Sequence, residues 1–185
     1  MTKFSVRLGI VPKIITVACF IIMSFALIKL TQVLLEGGFN IVYLSVIILL
    51  LISIVSPVFT MPVSIYALDD RLLLKKLLGS KTIFYSDIIV AERFSPKSDI
   101  RIFGSGGYWV FFGIFSNPRI GRYTAFVGDY KEAVLIQVAI AGGYKSYVVS
   151  CRNYDEFIML VNNNRDIRTI LSATTATANN YQNGN

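Results

Sequence analysis

The sequence predicts a membrane-anchored α+β protein, in which an N-terminal transmembrane helical hairpin precedes an antiparallel β-sandwich or barrel capped by a C-terminal α-helix. Three observations carry that prediction. The 185 residues are 54% hydrophobic, and the mean hydropathy of +0.60 is too high for one ordinary soluble domain of this size. The apolar excess is gathered ahead of Pro62. Behind it, short apolar runs alternate with charges and turn residues as they do in β-proteins.

Residues 1–13 form a basic leader with Lys3, Arg7 and Lys13 and no acid. Residues 14–35 are apolar apart from small polar residues, Lys29 and Gln32, and residues 39–59 are apolar with Asn40 near the start and Pro57 near the end. At 1.5 Å per residue each makes a helix of about 30 Å, enough to cross the hydrocarbon layer. Only "EGG" separates them, so the pair reads as a hairpin. Lys29 is close enough to the far end of the first span to snorkel to the interface. Lys3, Arg7 and Lys13 before the first span, and Arg71, Lys75 and Lys76 after the second, face a connection that carries only Glu36. By the positive-inside rule both termini are cytoplasmic. A cleaved signal peptide is the rival for the first segment. A second span follows it, however, and "TVAC" before Cys19 lies too early in the apolar run for a lipoprotein cleavage site.

Residues 63–171 read as the globular domain. "VSIYAL", "DD" and "RLLLKKLLGS" suggest a hairpin turning at Asp69 and Asp70, and "KTIFYSDIIVAERF" continues with β-branched and aromatic residues broken near Ser86 and Asp87. "RYTAFVGDY", "EAVLIQVAIA" and "KSYVVSC" are three strand candidates that predict an antiparallel meander. Phe157, Leu160 and Val161 then recur at helical spacing, with Asn153 and Glu156 spaced as a capping box. Residues 172–185, "SATTATANNYQNGN", have almost no apolar mass and predict a disordered tail.

The pattern resembles the bacterial pleckstrin-homology-like (PH-like) domains that follow two membrane spans in small bacterial membrane proteins. The likeness rests on "YALDDRLLLKKLLGSKTIFYSDIIVAERF" with Ile83, Tyr85, Asp87 and Ile88, on "FGSGGYWVFFGIF" followed by "GRYTAFV", and on "SYVVSCRNYDEFI". It implies two packed antiparallel sheets closed by a C-terminal helix, and placement in a bacterial inner membrane. Such a scaffold hosts lipid, peptide and oligomer contacts alike, so it implies architecture more than function.

Catalytic chemistry is poorly provided for. There is no histidine, which removes the usual general base, the Ser-His and Cys-His pairs and the commonest zinc ligand. Cys19 and Cys151 belong to different regions, and neither has metal-ligand spacing. Asp69 and Asp70 read as a turn, and Ser105 has no histidine to activate it. The expectation is therefore a non-enzyme without metal or cofactor.

The stretch "RIFGSGGYWVFFGIF", residues 101–115, is the densest candidate site. Its glycines lack the first, third and sixth spacing of a dinucleotide loop, and the lysine of a phosphate loop is missing. Three readings stand. Phe111, Phe112, Ile114 and Phe115 fill a core that the glycines let in by positive φ or close packing, or the run is an exposed rim for lipid or a partner, or it lines a small-ligand pocket. On the rim reading Tyr108 and Trp109 favour headgroups, while Arg101, Arg119 and Arg122 meet anionic phosphates, joined by Arg71, Lys75 and Lys76. The domain holds 14 basic residues against 10 acidic ones, a mild and scattered excess that argues against nucleic acid. The expected function is an interaction surface in the cytoplasm for a protein partner, another copy of the chain or anionic lipid headgroups. The alternative is an accessory or structural subunit of an inner-membrane transporter or enzyme complex.

Overall fold

The structure is a computed structural model that describes the backbone of residues 1–37 and 40–182, and the side chains of these residues apart from 57, 58, 60 and 172–182. Within the basic leader, Thr2–Ser5 forms a strand, β1, an element that the sequence did not indicate. Alternation turns Phe4 inward, 4% exposed, with its ring edge-on to Phe157 at 5.1 Å. Lys3 points outward, its ammonium 5.8 Å from the Tyr66 ring.

Helix α1 (Ile10–Glu36) starts four residues earlier than the expected span and is long and apolar enough to cross a membrane. Pro12 lies in its first turn, where a missing N–H costs nothing. Helix α2 (Ile41–Thr60) follows, opened by Asn40, whose Oδ1 accepts the Val42 N–H at 2.9 Å. Its apolar stretch Ile41–Ser56 is the shorter of the two. The expected start of the second span at Phe39 lies outside the described residues.

Strands β2 (Pro62–Ala67), β3 (Arg71–Lys76) and β4 (Ser80–Phe84) join β1 in a four-stranded antiparallel sheet of order β1-β2-β3-β4. A 3-10 turn at Tyr85–Asp87, with Tyr85 fully buried, carries the chain to the second sheet. That sheet contains β5 (Ile88–Arg93), β6 (Ile100–Gly106), β7 (Phe111–Asn117), β8 (Gly121–Val127), β9 (Ala133–Ile140) and β10 (Gly143–Ser150) in the order β5-β9-β10-β8-β7-β6.

The expected meander of the last three strands does not form. β10 lies between β9 and β8 and runs parallel to β8, from Ser146↔Tyr123 to Val149↔Phe126, so the sheet is mixed. The reason is the "GDYK" link, which holds a 3-10 turn at Tyr130–Glu132 and is long enough to pass over one strand position. With strands about 4.8 Å apart, skipping one requires roughly 10 Å. The Gly142–Gly143 turn, both residues at positive φ, does make a tight hairpin that returns β10 beside β9.

The main core lies between the two sheets, where Ile65, Leu72, Ile136 and Val149 meet Phe157 and Val161 of helix α3 (Tyr154–Gln182). Asn153 and Glu156 do meet at the start of α3, side chain to side chain at 3.4 Å. The helix runs on to Gln182, where a disordered tail was expected from residue 172. No Pro or Gly interrupts residues 154–183, so nothing in the sequence stops it. The last three residues of that tail lie outside the described residues.

A smaller core occupies the other face of the second sheet, where Phe94, Phe115, Tyr123 and Leu135 pack beneath the segment that crosses from β5 to β6. Asp99 secures that segment by accepting from Asn117 Nδ2 and the Tyr123 hydroxyl, which also meets the Tyr130 hydroxyl at 3.4 Å.

Phe4→Ala should cost about 3–5 kcal/mol, as for other buried phenylalanines, and urea unfolding of the detergent-solubilised protein measures it. A loss below 1 kcal/mol would show that β1 is not part of the core. Stability should also fall at alkaline pH. Burial pushes Tyr85 and Tyr130 up to about 12 and raises Tyr123 further still, where Asp99 adds to the effect. The unfolded chain sheds phenol protons near pH 10 while the native state retains them, so stability is full below pH 10 and declines from about pH 10 to 12. Unfolding midpoints measured across that range check the sign.

Candidate interaction surface

Both sheets are tied to the helices at one end of the domain, and this end carries the candidate site. Leaving β1, the chain keeps contact through Val6 N–H to Val63 O at 3.5 Å and Gly9 N–H to Gly128 O at 2.9 Å. Gly128 has to be glycine for reasons of space, since a Cβ there would overlap the Arg7 carbonyl oxygen. On the return, Leu78 N–H bonds Phe59 O at 3.0 Å and Leu77 N–H bonds Met61 O at 3.1 Å, which ties the β3–β4 turn to the end of α2. Arg152 N–H to Ser5 O, at 3.0 Å, joins the end of β10 to the same place.

The glycine-rich stretch comes to this end as the β6–β7 turn. Its residues dock on the helices: Trp109 N–H donates to Thr16 Oγ1 at 2.7 Å in α1, and the Tyr108 hydroxyl donates to Ile54 O at 3.3 Å in α2. Thr16 in turn donates to Pro12 O at 2.6 Å, so one hydroxyl holds both the helix turn and the loop. Ser105 Oγ caps the loop from within, on Tyr108 O at 2.7 Å. Trp109 adopts φ 64, a backbone state that costs a bulky residue on the order of 1–3 kcal/mol and persists only where its surroundings impose it. Its indole Nε1 is buried without a partner among the described residues.

The close glycines have a packing role. Gly104 and Gly113 face each other across β6 and β7, with φ of 110 and 126. A Cβ on Gly104 would overlap the Phe112 carbonyl oxygen and one on Gly113 the Phe103 carbonyl oxygen, so the two backbones approach as only glycines permit. Past this pair the aromatic run divides. Phe115 is buried in the smaller core with Phe111 packed beside it, Phe112 packs against the main core, and Ile114 is exposed beside Phe103.

The structure gathers some of the predicted site residues and separates others. Tyr108 and Trp109 sit together on the helices, their rings 6.3 Å apart. Arg101 starts farther along β6, opposite Phe115, but its guanidinium reaches back over Gly106, with Nη1 2.6 Å from where a Cβ would stand. Arg119 and Arg122 lie around the β7–β8 turn, at the opposite end of a seven-residue strand and so roughly 20 Å from Trp109. Arg119 pairs there with Glu92. Arg71 is also at the far end, bonded to Asp70 at 2.8 Å. Lys75 and Lys76, by contrast, end β3 at the helix-bearing end. Sequence reasoning missed Thr16 and Ile54 as partners of the loop, and missed the exposed pair Leu77 and Leu78. The leucines did leave a signal, because "LLLKKLL" breaks its alternation where β3 stops.

Two sheets packed around a main core and closed by a C-terminal helix define a sandwich-like domain, preceded here by apolar N-terminal helices. Residues 64–164 match the family described as the bacterial PH domain, and the chain belongs to that family. No curated protein and no solved structure gives a match to the chain.

Gly104→Ala should destabilise the protein by about 2 kcal/mol or more, since positive φ and overlap with backbone act together. Gly106→Ala should be nearly neutral, because it meets only the end of a flexible arginine. Thermal unfolding of the two variants side by side checks the contrast, and equal losses would sink the account.

Proposed function

We propose that the protein is a non-enzymatic, two-span membrane anchor for a bacterial PH domain, which it holds against the bilayer to present an interaction surface to a protein partner, another copy of the chain or acidic lipid. One observation supports this most. β1 precedes α1, β2 follows α2, and the two strands are hydrogen-bonded neighbours from Thr2↔Ala67 to Ser5↔Ser64. Whatever side of a membrane α1 leaves, α2 has to return to it. A single crossing by α1 is incompatible with that pairing, so a crossing α1 requires a crossing α2, whose 20 residues reach about 30 Å. The basic residues Lys3, Arg7 and Lys13 favour a cytoplasmic side for the domain and the N-terminus, at the inner membrane of a bacterial cell. Tyr108 and Trp109 are bonded to helix residues six positions inside the domain-proximal helix ends, which brings this aromatic pair to the side of the domain that faces the bilayer on the anchored reading.

The accessory-subunit reading draws on a different feature. Lys29 Nζ donates to Gln32 Oε1 at 3.4 Å on an exposed face of α1, a polar pair that another membrane helix can use. Crosslinking through α1 in intact cells separates the two, since a stoichiometric membrane partner favours the subunit.

Reporters test the anchor directly. A cytoplasm-dependent reporter should be active at both the N-terminus and the C-terminus and inactive when inserted after Gly37. Opposite activities at the two termini would contradict the pairing of β1 with β2 in the membrane-bound protein.

A further inference from the structure

The β3–β4 turn puts apolar and basic groups side by side at the helix-bearing end. Along β3, Leu72 and Leu74 face the core while Leu73 and Lys75 face outward, and this alternation ends at Leu77 and Leu78, which are 56% and 70% exposed. Two adjacent leucines left in water forgo roughly 1.5–3 kcal/mol each of burial. They are not free to turn away, because their N–H groups are bonded to Met61 and Phe59 at the end of α2. The leucines therefore sit level with the last apolar residues of that helix.

A groove of about 460 Å³ opens beside them on the outer face of the first sheet, with Tyr66, Lys75, Lys76, Leu77 and Ser80 in its wall. Lys3 adds a third cation across the Tyr66 ring. The described lining contains no carboxylate, and none of the three lysines forms an ion pair among the described residues. Lys76, one residue beyond Lys75, turns to the other face, its ammonium 6.0 and 5.6 Å from the ring centres of Phe112 and Phe126 at the main core. Exposed leucines at the level where an apolar helix ends, with unpaired cations and a serine hydroxyl immediately above, match one kind of molecule: an acyl chain below and a phosphate above.

We propose that this turn and groove bind an acidic phospholipid of the leaflet next to the domain, with its phosphate on Lys3, Lys75 and Ser80 and its acyl chains against Leu77 and Leu78. This lipid contact presupposes the anchored reading above and names its ligand. It uses a different part of the chain from the Tyr108–Trp109 turn.

The test uses the full chain in mixed micelles containing equal phosphatidylglycerol and phosphatidylcholine, with retained lipid counted by native mass spectrometry. The unaltered protein should retain phosphatidylglycerol in preference. Lys3→Gln with Lys75→Gln should lower that preference by about fivefold for each lysine removed. Leu77→Ser with Leu78→Ser should reduce retention of both lipids, and Arg119→Gln with Arg122→Gln, at the far end, should change nothing. Excess inorganic phosphate should leave phosphatidylglycerol bound, whereas displacement by phosphate alone would make a free anion the ligand. An unchanged preference in the double lysine variant overturns the proposal. Should that variant not fold, salt titration of the unaltered protein decides: the preference should fall as ionic strength rises, and persistence at high salt overturns the proposal equally. Alkaline extraction of native membranes keeps the two readings apart. Protein left in the pellet with no lipid preference refutes only the lipid site, and protein released to the supernatant refutes the anchor itself.

Discussion

The pairing of β1 with β2 is the constraint on which the rest of this structure depends. Four residues near the start of the chain add a strand to the first sheet, and 56 residues of helix and connection separate Ser5 from Pro62. Both ends of the helical pair are therefore sewn into one sheet. The domain cannot swing on a linker as tethered modules commonly do, because each helix runs into a hydrogen-bonded strand within a few residues. Phe4 makes this more than an edge contact, since its ring reaches Phe157 in α3 and so links the first strand to the last helix through the core.

The glycine-rich turn repeats the same logic from the second sheet. Gly104 and Gly113 bring β6 and β7 together closely, and the turn beyond them reaches α1 through Thr16 and α2 through Ile54. Each sheet thus contacts the helices independently, the first through strand ends and the second through a loop tip. The strained φ of Trp109 is consistent with that placement, because a backbone state of this kind is kept only where several contacts act on it. The arginines at 119 and 122, at the opposite end of β7, are too remote to take part.

How much of this was legible in the sequence follows from the range of the interactions. The apolar helices, the "DD" hairpin, the break in the strand run at Ser86 and Asp87 and the onset of α3 rest on local composition and periodicity, and these were readable. The glycines were legible as a packing device, but not their partners, since Gly104 meets Gly113 only once the hairpin register is set. Strand β1 was not legible, because four residues carry almost no periodic signal and the basic character of the leader suggested a membrane flank. The place of β10 was hidden for a related reason. Turn residues in "GDYK" suit a tight hairpin as well as a wider link, and only the pairing of β10 with β8 distinguishes them. The lysines at 75 and 76 and the arginines at 119 and 122 look equivalent by charge, whereas the sheet separates them by its length.

Loop closure explains why the helices and the first strand belong together energetically. Joining β1 to β2 across an unstructured segment of this length would cost about 3–4 kcal/mol in chain entropy. Ordering the four residues of β1 costs on the order of 1–2 kcal/mol each. Burial of Phe4 returns roughly 1.5–3 kcal/mol, and a few strand hydrogen bonds at about 1 kcal/mol each do not make up the difference. An isolated leader would therefore pair poorly. A helical hairpin changes the balance, because once α1 and α2 stand side by side their domain-proximal ends are already close and the closure term largely disappears. On the anchored reading, insertion of the two helices precedes and promotes docking of β1, so the membrane hairpin is a folding element of the domain as well as its tether.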